Sequence, residues 1–194
     1  MITTIILDAD GIVLHREMYF SDRLSKDFGV PPEKVIAFFK KEFPLCTIGQ
    51  ADLKEELTKY IQEWNWHGTV DELIQYWFEH EQNIDQRIIN HVQELKNKGI
   101  KCYLASDNEK YRTKYIYEQL GLKNYFDIIF SSSNIGFCKK QLEFWDAVHN
   151  QLGTPEKSSV LVLDDDQKFT PPNHLVFQLN STRTSKNIRK FSAI

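Results

Sequence analysis

The sequence predicts an α/β protein: a doubly wound parallel sheet with an all-helical domain inserted after its first strand. Three observations predict it. Residues 2–7 (ITTIIL) form a short, β-branched apolar run, the pattern of a strand buried on both faces. From about residue 84 onward, short apolar runs alternate with amphipathic helical patterns, which specifies parallel strands joined by helical crossovers. Between these parts, residues 15–83 are rich in aromatics and carry no strand-like run. The expected division is an α/β core of residues 1–14 and 84–194 and a helical domain of residues 15–83.

Each element has its own signal. In the insert, Ser21 is placed to cap a short helix that ends near Gly29. Pro31 and Pro32 open a second helix, "PEKVIAFFKKEF". Gly49 precedes a third, "ADLKEELTKYIQEW", and the Thr69-to-Glu72 spacing of a capping box opens a fourth. In the core, "IDQRIINHVQELKNKG" reads as a helix closed by Gly99, and "IKCYLAS" as a strand ending at Ser106. "EKYRTKYIYEQLG" follows as a helix, "FDIIFSS" as a strand, "KQLEFWDAVHNQLG" as a helix and "SSVLVL" as a strand that runs into three Asp residues. "HLVFQL" reads as a last strand, followed by a polar tail.

Composition narrows the function. The 194 residues are 41% hydrophobic and 26% charged, a globular balance rather than a disordered one. A net charge of -3 argues against a nucleic-acid surface and against binding to an anionic membrane. No apolar stretch approaches the roughly 20 residues a spanning helix needs, and Asp8 interrupts the N-terminal run too early for a signal peptide. Cys46, Cys102 and Cys138 are odd in number and widely spaced, which points to free thiols and a cytoplasmic setting. A monomer or weak dimer is expected. His67, His80 and His91 show no metal-ligand spacing and read as surface, while Trp64, Trp66, Tyr76, Trp77 and Phe78 read mostly as packing between helices.

In an open parallel sheet, ligands bind beyond the carboxyl ends of the strands. Asp8 and Asp10, Ser106, and Asp164 to Asp166 stand at three such ends. By itself the Asp8/Asp10 pair is a solvated strand end, a metal site, or a nucleophile beside its acid. Gly11 follows at once and suits a sharp turn with close ligand approach. Several carboxylates in one crevice need a cation or a proton between them, and hard oxygen ligands in that number suit Mg²⁺. Ser106, Asp107 and Asn108 precede a helix, so they serve either as a plain cap or as a phosphate cradle. Lys139 and Lys140 are either solvated or able to balance carboxylates and hold a phosphate oxygen.

Four ordered motifs carry a resemblance. "ILDADGIV", "CYLASDN", "YFDIIFSSSNIGFCKK" and "VLVLDDD" together resemble the haloacid dehalogenase-like hydrolase superfamily, in the phosphatase branch of its subfamily I, which has a Rossmann-like core and a helical (C1-type) cap after the first strand. The resemblance implies a Mg²⁺-dependent phosphatase acting on a small-molecule phosphate monoester. Asp8 would be the nucleophile that takes the phosphoryl group, and Asp10 the acid and then the base. Ser106, the amide of Asp107, and Lys139 would hold phosphoryl oxygens. Asp8, the backbone carbonyl of Asp10, and Asp165, with Asp164 as second choice, would hold the metal. The loop of Thr47, Ile48, Gly49 and Gln50 would face the site from the cap. Asp10 sets the chain apart from the dehalogenase branch, which lacks that second Asp. The position where capped phosphomutases carry His is Phe20, while His15 sits elsewhere. Three departures stand out: Lys140 where Pro is usual, Phe169 where Asn or Asp is frequent, and Pro171-Pro172 where a helix is expected after the last acidic motif. They keep open a second expectation, a capped protein that binds a phosphorylated ligand or partner with little turnover.

Overall fold

The computed structural model describes residues 1–164 and the backbone of residues 178–179. Expectations that fall on Asp165, Asp166, Phe169, Pro171-Pro172 and the tail lie outside the described residues. The first strand, β1 (Thr4–Asp8), is the centre of a five-stranded parallel sheet. Its other members are β4 (Lys101–Ser106), β5 (Ile129–Ser131), β6 (Val160–Leu163) and β7 (Gln178–Leu179), in the order β5-β4-β1-β6-β7. Alternation along β1 explains the double winding. Ile5 and Leu7 pack with Ile88, Val92 and Leu95 on one face, and Ile6 packs with Phe144, Trp145 and Val148 on the other. The helices behind these two faces are α6 (Gln86–Asn97) and α9 (Leu142–Gln151).

The chain leaves the core through β2 (Leu14–His15) and returns through β3 (Asn83–Ile84), which pair antiparallel. The pattern of residues 15–83 did not reveal this two-residue ribbon. Between its strands lie α1 (Phe20–Phe28), α2 (Pro32–Lys41), α3 (Phe43–Thr47), α4 (Leu53–Thr58) and α5 (Val70–Glu79). They enclose their own aromatic core around Trp64, Phe38 and Phe20. The capping box forms, with Thr69 and Glu72 each bonded to the other's backbone N–H. Two expectations need correction. Ser21 does not cap: α1 already begins at Phe20, and Ser21 is buried in its first turn. The third helix of the insert is shorter than expected, because after Thr58 the chain continues in turns that bring Trp64 back under Tyr60.

After β4, Glu109 rather than Ser106 caps α7 (Lys110–Lys114), accepting from the backbone N–H groups of Tyr111 and Arg112. That helix widens into a π-helical turn, Tyr115–Gln119. A short α8 (Ser132–Ile135) follows β5 directly. Among the described residues, no helix is long and apolar enough to cross a membrane.

Candidate active site

Sheet register assembles the site. Asp8 ends β1 opposite Ala105 of β4, and Leu7 lies opposite Leu163 of β6, so Asp8 stands level with Asp164 and next to Ser106. Gly11 takes a φ of 96° and donates to Leu14 O at 2.8 Å, which folds the chain back just after Asp10. Lys139 enters from the loop before α9. Its Nζ lies 2.9 Å from Asp8 Oδ2 and 2.8 Å from Asp164 Oδ2. Its backbone is fixed on both sides. The N–H donates to Asp107 Oδ1 at 2.8 Å, and the carbonyl accepts from Trp145 Nε1 at 2.6 Å. Lys140 points to solvent.

Asp10 has a different set of partners. Asn108 Nδ2 donates to Asp10 Oδ2 at 2.6 Å and to Ser106 Oγ at 2.6 Å. Arg112 Nη2 donates to Asp10 Oδ1 at 3.0 Å and to the carbonyl of Glu81 at 2.5 Å. The two carboxylates of the first motif, two residues apart, therefore have separate environments.

The electrostatics follow from burial. Burial pushes Asp8 well above the usual carboxylate range, Lys139 opposes this, and the neighbouring Asp164 and Asp10 add to it. For Lys139, burial disfavours the charge, but Asp8, Asp164 and Asp107 outweigh it and hold the ammonium above the usual lysine range. Burial likewise raises Asp107 and Glu81. The Lys139 ammonium is thus buried between the carboxyl groups of Asp8 and Asp164.

A cavity of about 420 Å³ opens beside Asp10, Asp107, Asn108 and Arg112. Its other walls come from the helical insert: Tyr19, Phe20, Ile36, Phe39, Phe43 and Trp77, with Arg16, Ser21 and Glu81. The loop of Thr47, Ile48, Gly49 and Gln50 is not part of this lining. It lies against the core instead, where Thr47 O accepts from Ser132 Oγ at 2.5 Å, and Gly49 and Gln50 border a second depression with Ser133 and Glu109.

A model of the haloacid dehalogenase-like hydrolase family matches residues 2–168. The chain belongs to this family. Its fold is shared with solved members. A haloacid dehalogenase family enzyme of Bacteroides thetaiotaomicron, as its magnesium complex, superimposes with a TM-score of 0.78 at 16% identity, covering 97% of this chain and 98% of that one. The same enzyme in complex with magnesium and inorganic phosphate gives 0.71 at 15% identity, covering 86% of each chain. A predicted hydrolase of the family from Porphyromonas gingivalis gives 0.74 at 18% identity, covering 100% and 99%. An L-2-haloacid dehalogenase from Xanthobacter autotrophicus gives 0.60 at 16% identity, covering 85% and 70%. No curated protein matches the chain by sequence.

As a haloacid dehalogenase-like hydrolase, the chain can be tested for the metal its family implies. Among the described residues, no three His, Cys, Asp or Glu side chains converge on one point. Lys139 stands between Asp8 and Asp164, and the Asp10 carboxyl turns toward Asn108 and Arg112. The donor chemistry nevertheless fits a hard divalent cation. Asp8 and Asp164 each reach Lys139 through Oδ2, and a Mg²⁺ site commonly uses only one or two carboxylates besides carbonyl, water and phosphate oxygens.

Two residues of this family member's candidate site, Asn108 and Arg112, carry little signal as functional groups in its sequence. In the sequence, Asn108 reads only as part of a cap or cradle, although "SDN" puts an amide two residues beyond the strand end. Arg112 gave no signal beyond its place in a helix, because its reach to Asp10 depends on how that helix packs. Phe20, the position where capped mutases carry His, gives the cavity an apolar wall.

Proposed function

We propose that the chain is a Mg²⁺-dependent phosphatase of the helical-cap subfamily, hydrolysing a small-molecule phosphate monoester through an aspartyl-phosphate on Asp8. The observation that carries this reading is the division of the two carboxylates: Asp8 ion-paired to buried Lys139, Asp10 held by Asn108 and Arg112 at the cavity wall. An Asp8 oxygen attacks phosphorus, the ester P–O bond breaks, and Asp10 gives its proton to the departing oxygen. Asp10 then takes a proton from water, which attacks the phosphorus of the aspartyl-phosphate. That releases inorganic phosphate and restores Asp8. Lys139 and the hydroxyl of Ser106 hold the phosphoryl oxygens, together with the N–H of Asp107. This supplies the positioning and positive charge that phosphoryl transfer needs. Asp8, the Asp10 carbonyl and an acid of the Asp164/Asp165 pair would hold Mg²⁺, which when bound adds positive charge at the phosphoryl oxygens. A halide leaves without a proton, so Asp10 at the cavity favours an oxygen leaving group over dehalogenation.

The free thiols of Cys46, Cys102 and Cys138 support a cytoplasmic setting, and the small net charge supports a small-molecule substrate for a monomer or weak dimer, with no nucleic acid or membrane partner. The test is hydrolysis of acetyl phosphate and p-nitrophenyl phosphate with Mg²⁺ and with EDTA. Activity should require the metal, and Asp8→Asn should lower kcat by about 10³-fold or more. Binding of phosphate esters without any turnover would instead mark a phospholigand-binding member of the family.

A further inference from the structure

We infer that the leaving group this site takes is a flat aromatic or heteroaromatic ring system rather than a polyol such as a sugar; this rests on the phosphatase reading above. The cavity beside Asp10 is walled by rings already arranged to receive another. Phe20 stacks on Trp77 at 5.0 Å between centroids, Phe39 meets Trp77 edge-on at 5.2 Å, and Phe39 meets Phe43 edge-on at 5.0 Å. Tyr19 and Ile36 extend the apolar wall, and both are exposed on the chain itself. A planar guest gains stacking and edge-to-face contacts from such a wall in addition to its buried area.

The polar groups nearest the strand ends are engaged. Asp10 accepts from both Asn108 and Arg112, and Asp107 accepts from the Lys139 N–H. Arg16 lies over the Tyr19 ring, 4.8 Å from its centroid. Ser21 and Glu81 are the other polar residues of the wall. A sugar would bring several hydroxyls into a space that offers few partners, and a hydroxyl buried without one is costly. The volume, about 420 Å³, lies in the range of small-molecule sites.

The experiment compares 2-naphthyl phosphate with glucose 6-phosphate, using acetyl phosphate, whose leaving group is too small to fill the cavity, as the control for the chemistry. The expected kcat/KM ratio favours the naphthyl ester by about 100-fold, and calorimetry of both esters in EDTA gives the same ranking. Ile36→Asp, a change at an exposed position of this wall, shrinks the kcat/KM ratio of the naphthyl ester to glucose 6-phosphate about tenfold. Loss of acetyl phosphate turnover in the native protein would refute the phosphatase reading, while the calorimetric ranking would still decide the cavity. Equal or reversed preference for the two esters, or a preference that Ile36→Asp leaves unchanged, overturns the inference.

Discussion

Arg112 joins the chemistry to the helical insert through a single side chain. The residue is 3% exposed, and its guanidinium reaches Asp10 Oδ1, the carbonyl of Glu81 and the carbonyl of Phe78, the last at 3.4 Å. The last two belong to the end of α5 and the turn after it. Removing the planar fork should therefore misplace Asp10 without touching Asp8. Arg112→Met should lower kcat about 10- to 100-fold for an alkyl phosphate, whose leaving oxygen needs a proton, and distinctly less for p-nitrophenyl phosphate. Arg112→Lys should recover part of the loss, and kcat and KM measured on both substrates check this. An equal fall on both would mean a purely structural role. Residues of this kind carry no local sequence signal. Asp8, Asp10, Ser106 and Lys139 are legible because each sits a fixed number of residues from a strand end or a glycine turn. Arg112 sits on the second turn after its strand end, where any polar residue would have looked the same.

Helix starts show how far local chemistry reaches. The capping box at Thr69 forms as its spacing predicts, since the bonds it needs lie within four residues. Asp85 caps α6 with no such pattern to announce it. It accepts from the Arg87 N–H at 2.9 Å and from the Arg87 guanidinium at 2.6 and 3.0 Å. Bonds from Arg87 outweigh burial and bring the Asp85 carboxyl down to about 2. A carboxyl held below its unfolded value stabilises the fold above that value, and its contribution fades as pH falls through the folded one. Asp85→Ala should cost about 1 kcal/mol near neutral pH. That difference should shrink between about pH 4 and pH 2. Asp85→Asn, which can still cap, should keep most of the stability but lose the pH dependence; denaturant unfolding of the three proteins at both ends of this range checks both statements. Ser21 illustrates the opposite case. A good capping residue lay one position inside the helix, and Phe20, drawn into the aromatic core of the insert, set the start instead.

At the scale of the molecule, the insert is fastened to the core by a few contacts distant in sequence. Ser132 Oγ donates to Thr47 O, Tyr111 Oη donates to Asp52 Oδ2 at 2.9 Å, and Lys110 lies 2.6 Å from the same oxygen. Gly49 is the tightest of these points. At a φ of 72°, a Cβ there would meet Ser133 O at 2.6 Å. Gly49→Ala should destabilise the protein by more than about 1 kcal/mol and lower its Tm, because neither the left-handed backbone nor the neighbouring carbonyl leaves room. An unchanged Tm on thermal unfolding would mean that this contact opens in solution. The sequence by itself determined the α/β class, the central strand that ends at Asp8, and the acids placed at strand ends. Those features follow from periodicity and from offsets of a few residues, which local sterics and hydrogen bonding decide. Only the tertiary structure decided that Lys139 bridges Asp8 and Asp164, that Arg112 carries Asp10, and that aromatics from the insert wall the cavity. These depend on sheet register and on the packing of helices dozens of residues apart, where many placements satisfy the same local pattern and only burial of the whole selects one.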